Sequence, residues 1–286
     1  MRPFKIYEVS AREGFQRQAA RPLAAAVTLI KLVAAAGIKH LEVGSFVNPK
    51  VVPAMANTAE LLKTLGQLPE LADVQFSVLI PRATAFLPAA ELGVAQVAWA
   101  VARDAAFQEK NFHQTIAEAV AGLRLVYEQR EQKYPGIKIK VYLMMAWLPN
   151  KPLAEDRALL QTLAAWADEL CLADTAAEAT PATLQEALQT VQEVVPLSKI
   201  GLHLHGLAER VLSLGKLAAS LGVANFDTAL AEQGGCPFIA EPAANADTLA
   251  FCQMLSKHFG TDESWFKEDL LKQAAAAWAL AAKGPR

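Results

Sequence analysis

The fold class this sequence predicts is α/β: a closed (β/α)8 TIM barrel with extra C-terminal helices. Three observations carry that expectation. Short β-rich runs alternate eight times with longer Ala/Leu-rich helical stretches across 286 residues, a length at which such barrels form one domain. The strand runs are almost wholly apolar, as when a parallel sheet is covered on both faces; Val141-Tyr142-Leu143-Met144-Met145 and Leu41-Glu42-Val43 are typical. No G-x-G-x-x-G opens the first helix and no Walker-type glycine loop occurs, which argues against an open dinucleotide-binding sheet.

In chain order, the strands are expected at 4–10, 40–45, 74–80, 95–99, 137–144, 169–173, 199–205 and 225–229. Helical patterns lie at 23–36, 52–65, 85–92, 112–131, 153–167, 182–194 and 207–221, and 245–258 follows the eighth strand. Gly37, Gly93 and Gly222 stand just after Ala-rich helices, where a left-handed residue ends a helix. Pro181 suits a first helical turn, where a missing N–H costs nothing. The chain reads as a single domain over 1–286, with 261–286 as a helical extension. Trp265, Leu270, Leu271 and Trp278 make that tail apolar enough to pack on the barrel or on another subunit, so a homodimer is among the expected assemblies.

Bulk composition narrows the partners. A net charge of -2 and the lack of a polybasic run give no sign of nucleic acid or of a membrane surface. No apolar stretch approaches a membrane span, and Met1-Arg2-Pro3-Phe4-Lys5 leads into a strand without a signal-peptide core. Cys171, Cys236 and Cys252 are too few and too scattered for a disulfide framework. A reducing cytoplasm fits that usage.

The most informative segment is Ile200-Gly201-Leu202-His203-Leu204-His205-Gly206. Residues two apart on a strand share a face, so both imidazoles point the same way and offer half of a divalent-metal site. In a barrel of this class the site lies at the C-terminal strand ends, and unusual polar residues gather there. Strand 1 ends in Glu8-Val9-Ser10-Ala11-Arg12-Glu13-Gly14-Phe15-Gln16, strand 2 carries Glu42, and strand 6 ends in Asp174-Thr175. The loop after strand 8 holds Gly234-Gly235-Cys236-Pro237-Phe238, with Asn245 beyond it. Bland readings exist for each. Glu8 and Asp227 read as solvated loop residues, Asp174-Thr175 as turn and cap chemistry, and Cys236 as a small buried apolar residue.

The ensemble resembles the 3-hydroxy-3-methylglutaryl-CoA lyase family over most of the chain. Four segments carry the resemblance: Glu8 to Gln16, similar to E-V-G-P-R-D-G-L-Q; Glu42-Val43-Gly44-Ser45-Phe46-Val47-Asn48-Pro49-Lys50; Leu202-His203-Leu204-His205; and Gly234 to Phe238. The resemblance implies a carbon–carbon lyase that cleaves a 3-hydroxyacyl-CoA, by default the 3-hydroxy-3-methylglutaryl thioester, by retro-Claisen chemistry. It implies a divalent ion, Mg²⁺ or Mn²⁺, on Glu13, His203, His205 and Asn245. Arg12 would face developing enolate charge, Cys236 would donate a proton, and Glu42 and Asp174 would orient Arg12, the substrate or the base. His203 counts among the catalytic residues as well as the ligands, and Gln16 and Thr175 would contact substrate. A metal-dependent aldolase for another hydroxy acid or 2-oxo acid, or a metal-binding barrel with weakened chemistry, are the alternatives.

The chain departs from the family pattern at four places. Glu13 replaces Asp, which moves the carboxylate by about 1.5 Å, one C–C bond. Gly206 replaces an Asp, so a partner for the histidines is missing. Glu241 and Pro242 stiffen and charge the loop after strand 8, and the loop after strand 5 is short, with Trp147 expected to fill the space. Lys50 and Arg82 could meet CoA phosphates but read first as solvated surface.

Overall fold

A computed structural model describes residues 4–16, 18, 20–234, 244–260 and 265–282. Its strands are β1 (Lys5–Glu8), β2 (His40–Ser45), β3 (Gln75–Leu79), β4 (Gln96–Ala102), β5 (Lys138–Met144), β6 (Glu169–Ala173), β7 (Ile200–His203) and β8 (Asn225–Thr228). Each is parallel to its neighbours, and β8 pairs with β1 to close the barrel. Closure leaves no edge strand, and the enclosing helices explain why the strand sequences are apolar on both faces.

The helices are α1 (Leu23–Ala35), α2 (Thr58–Gly66), α3 (Phe86–Glu91), α4 (Ala105–Phe112), α5 (Ile116–Lys133), α6 (Arg157–Trp166), α7 (Pro181–Gln192), α8 (Ala208–Leu221), α9 (Thr248–Phe259) and α10 (Glu268–Ala282). Gly37, Gly93 and Gly222 take φ of 105°, 77° and 113°, as their places after helices predict. Pro181 opens α7 behind a Thr180–Thr183 capping box. Among the described residues no helix is long and apolar enough to cross a membrane.

Several boundaries move, each for a local reason. The pattern at 112–131 is interrupted: His113 ends α4 in the left-handed region, and Thr115 with Glu118 starts α5 through a reciprocal capping box. Strand 1 stops at Glu8 instead of residue 10, because Ser10–Gly14 winds into one π-helical turn. That turn is held from outside by Arg21, whose guanidinium donates to the carbonyls of Ala11 (2.8 Å) and Val43 (2.5 Å). Strand 7 stops at His203, so His205 lies past the ladder and meets Asn245 in an isolated bridge. Asn245 therefore precedes α9 instead of starting it. A register shift between Glu42 and Gly44 in β2 is the sort of irregularity that re-aims a side chain beside a site.

The tail forms α10, which packs along α1. Lys267 N–H donates to Ala36 O (2.7 Å), and Trp278 is buried against Phe15, ring centroids 6.1 Å apart.

Candidate metal centre and cavity

At the C-terminal rim, Glu13 from the π-turn, His203 from the end of β7 and His205 two residues on bring one ligand atom each to within 4.8 Å of one another. The two Nε2 atoms are 3.0 Å apart, and Glu13 Oε1 lies 3.6 Å from His203 Nε2. Asn245 joins them: its Nδ2 donates to Glu13 Oε2 (2.8 Å) and to Gln233 O (2.6 Å). Gly234, at φ 98°, presses its backbone against this group. A Cβ there would stand 2.5 Å from Asn245 Nδ2 and 2.8 Å from Glu13 Cβ.

Behind His203, Asp227 Oδ2 lies 3.1 Å from Nδ1. Accepting the Nδ1 proton leaves Nε2 as the atom turned toward Glu13, which is how a carboxylate fixes a ligating tautomer. The donor set, one carboxylate and two imidazoles without thiolate, suits a divalent cation. Burial would raise the Glu13 carboxyl, yet Arg12, His203 and His205 hold it well below the carboxylate range. Burial and the adjacent His203 push His205 down to about 4, favouring the neutral imidazole that a metal requires. Burial opposes charge on His203, but Glu13 and Asp227 favour it and raise its pKa.

Arg12 lies between two carboxylates. Its Nε donates to Glu42 Oε1 (2.5 Å) and its Nη1 to Glu13 Oε1 (2.6 Å). Burial disfavours the guanidinium charge, but these two carboxylates outweigh that cost and keep it ionised. Glu42 thus holds one edge of the Arg12 guanidinium. Asp174 has other partners. It turns to Arg210 Nη2 (2.9 Å) and to the amides of Glu178 (2.8 Å) and Ala179 (3.1 Å). Asp174 thus caps the turn after β6 and also pairs with Arg210.

Glu13, His203, His205 and Arg12 line a cavity of about 580 Å³. Gln16 and Thr175 line it as well, and Thr175 Oγ1 accepts from Met145 N–H (2.9 Å). Much of the rest of its lining is apolar, including Phe46, Val47, Val52, Met55, Phe107 and Phe112. Arg82 stands exposed at this cavity, with one guanidinium nitrogen on Gln114 and the other on Phe112 O (2.7 Å); Lys50 is exposed. Trp147 lines a separate cleft of about 200 Å³ and donates to Thr183 O (3.2 Å) instead of filling the main cavity. Cys236, Glu241 and Pro242 lie outside the described residues.

Sequence reasoning missed the groups beneath the site. Glu8 and Asp227, read as solvated, are buried in the barrel. Lys140 and Tyr142 point inward from β5. Lys140 Nζ bonds Asp227 Oδ1 and lies 3.2 Å from Glu169 Oε1, while Tyr142 OH donates to Asp227 Oδ2 (2.7 Å) and Glu42 Oε2 (3.2 Å). The alternation Lys138, Lys140, Tyr142 with Ile139, Val141, Leu143 held that signal. A polar row on a two-side-covered strand must face the lumen.

The HMGL-like family model matches residues 3–263. The chain belongs to the HMGL-like family. Among curated HMGL-like relatives, the mitochondrial hydroxymethylglutaryl-CoA lyase of Bos taurus is 28% identical over 260 residues, covering 88% of this chain and 78% of that protein. The 3-hydroxy-3-isohexenylglutaryl-CoA/hydroxymethylglutaryl-CoA lyase of Pseudomonas aeruginosa is 29% identical, with 90% and 87% covered. The crystal structure of the HMG-CoA lyase from Brucella melitensis superposes with a TM-score of 0.87 at 25% identity, covering 99% of this chain and all of that one.

Proposed function

We propose that this HMGL-like barrel is a metal-dependent carbon–carbon lyase cleaving 3-hydroxy-3-methylglutaryl-CoA, or a related 3-hydroxyacyl-CoA, to acetyl-CoA and a 3-oxo acid, acetoacetate for the default substrate. One observation carries the reading: Glu13, His203, His205 and Asn245, far apart in sequence, converge beside Arg12 at the wall of one cavity. Glu13 and the two Nε2 atoms would hold Mg²⁺ or Mn²⁺, with the Asn245 amide completing the set. Such an ion, when bound, supplies Lewis acidity that makes a hydroxyl easier to deprotonate.

Loss of the tertiary hydroxyl proton lets the adjacent carbon–carbon bond break and passes negative charge to the acetyl-CoA enolate. Arg12 is the cation for that charge. Its fork carries more N–H donors than its two carboxylates consume, and Glu42 and Glu13 fix its plane before substrate arrives. A proton must then reach the enolate carbon, and the Cys236 thiol is the donor this reading assigns; a reducing cytoplasm would keep it a thiol. Gln16 and Thr175, on the cavity lining, are placed to contact substrate.

The apolar wall favours a second substrate within the same chemistry, a thioester whose 3-substituent is larger than methyl. A panel of CoA thioesters and free hydroxy acids separates these cases and tests the aldolase alternative. The central test is acetyl-CoA release with Mn²⁺ or Mg²⁺. His203→Ala is expected to abolish it, and cleavage undiminished after exhaustive chelation would overturn the reading.

A further inference from the structure

We infer that Arg210, anchored by Asp174, is the positioning residue that holds the ligand His205 in place, occupying the space a side chain at position 206 would take. The inference rests on the metal reading above and deepens it. His205 lies two residues beyond its neighbour ligand and past the end of β7, so the sheet's ladder does not fix its backbone. Arg210, in the first turn of α8, reaches back to do so. One guanidinium nitrogen donates to His205 O; the other donates to Asp174 Oδ2 (2.9 Å) and Ala179 O (2.5 Å). The next peptide is gripped from the opposite side, where Gly206 N–H donates to Ala244 O (3.0 Å), and the His205–Asn245 bridge follows from that contact.

Gly206 makes the arrangement possible. Its φ is 141°, and a Cβ built there would stand 2.5 Å from Arg210 Nη1. The bare backbone admits the guanidinium, so the partner that the sequence lacks at 206 is supplied from one helical turn further on. Asp174 serves the same clamp. Its carboxylate is 1% exposed and turned to Arg210, while its neighbours Ala173 and Thr175 face the cavity. The Arg210 side chain is 29% exposed but Asp174 is buried, so losing Arg210 costs some stability, limited by the Glu178 and Ala179 amides that still donate to Asp174. Its specific effect, beyond stability, is on where His205 stands, because the same guanidinium donates to His205 O.

Mn²⁺ titration of the full-length protein, with free ion followed by electron paramagnetic resonance, tests this without turnover. Arg210→Met is expected to weaken Mn²⁺ binding about 10–100-fold, the usual cost of losing a group that orients a ligand. Asp174→Asn should weaken it too, and the double variant should add little, because the two residues act as one unit. Arg130→Met removes a comparably buried arginine whose partner Asp168 precedes β6, at the opposite end of the barrel. It should lower Tm and leave Mn²⁺ affinity unchanged. If Arg210→Met does not fold, Arg210→Lys gives the same readout, with a smaller loss. Affinity within about twofold of the parent in the folded Arg210 variant, set against the usual cost, overturns the proposal alone, as does an equal loss in Arg130→Met. A parent protein that takes up no Mn²⁺ overturns the metal centre and this clamp together.

Discussion

Single side chains at this rim are tuned by what buries them. Glu8 is buried without a cation, accepting from Ser10 Oγ (2.5 Å) and from the Leu230 amide (3.0 Å), and burial pushes its carboxyl up to about 7. A carboxyl whose pKa rises on folding binds its proton more tightly in the native state. Its contribution to stability is whole below pH 4.5, its ordinary value, and is lost as pH rises through about 7. Thermal denaturation from about pH 5 to 8 should show that loss, and Glu8→Gln should flatten the profile. An unchanged profile would mean that other groups set the slope.

At the scale of an element, β5 carries the charge that organises the lumen. Lys140 is 1% exposed, caught between Asp227 and Glu169, and lies 4.0 Å from the centre of the Tyr7 ring. Burial works against its charge, but Asp227 and Glu169 raise its pKa well above the lysine range. Asp227, which burial would raise, is held down at about 2 chiefly by Lys140. Lys140→Met leaves those carboxylates buried without their cation, at an expected cost of about 3–5 kcal/mol in urea unfolding. Adding Asp227→Asn should recover part of the stability while giving His203 Nδ1 a neutral amide in place of the charged acceptor. A single variant as stable as the parent would show that the lumen charge is not matched as the distances imply.

For the molecule as a whole, the C-terminal helix and the site are mechanically joined. Trp278 on α10 packs on Phe15 and so close to Gly14 that a Cβ there would lie 2.7 Å from the indole Nε1. Gly14 closes the π-turn that carries Arg12 and Glu13. Trp278→Ala should cost about 3–5 kcal/mol, as for other buried aromatics, and should also weaken Mn²⁺ binding by letting that turn relax. Lost stability with unchanged ion affinity would confine α10 to a packing role. A tail distant in sequence thus packs directly behind the turn that carries Glu13.

The sequence by itself determined the barrel, its strand order and the rim on which the chemistry gathers. Those rest on local quantities: apolar runs of strand length, helical periodicity, glycine and proline at element ends, and the two-residue repeat that sets His203 and His205 on one side. The motif around Arg12 and Glu13 was legible for the same reason, since its residues are neighbours in the chain. Only the tertiary structure decided which way a buried polar side chain faces. Asp227 read as a solvated charge, and Lys140 did not stand out, until eight strands close and turn one face of each into a lumen that water cannot solvate. The partner of Asp174 was likewise set only when α8 placed Arg210 against it. Partners drawn from different strands are chosen by closure and crossing of elements, and no local pattern records that choice.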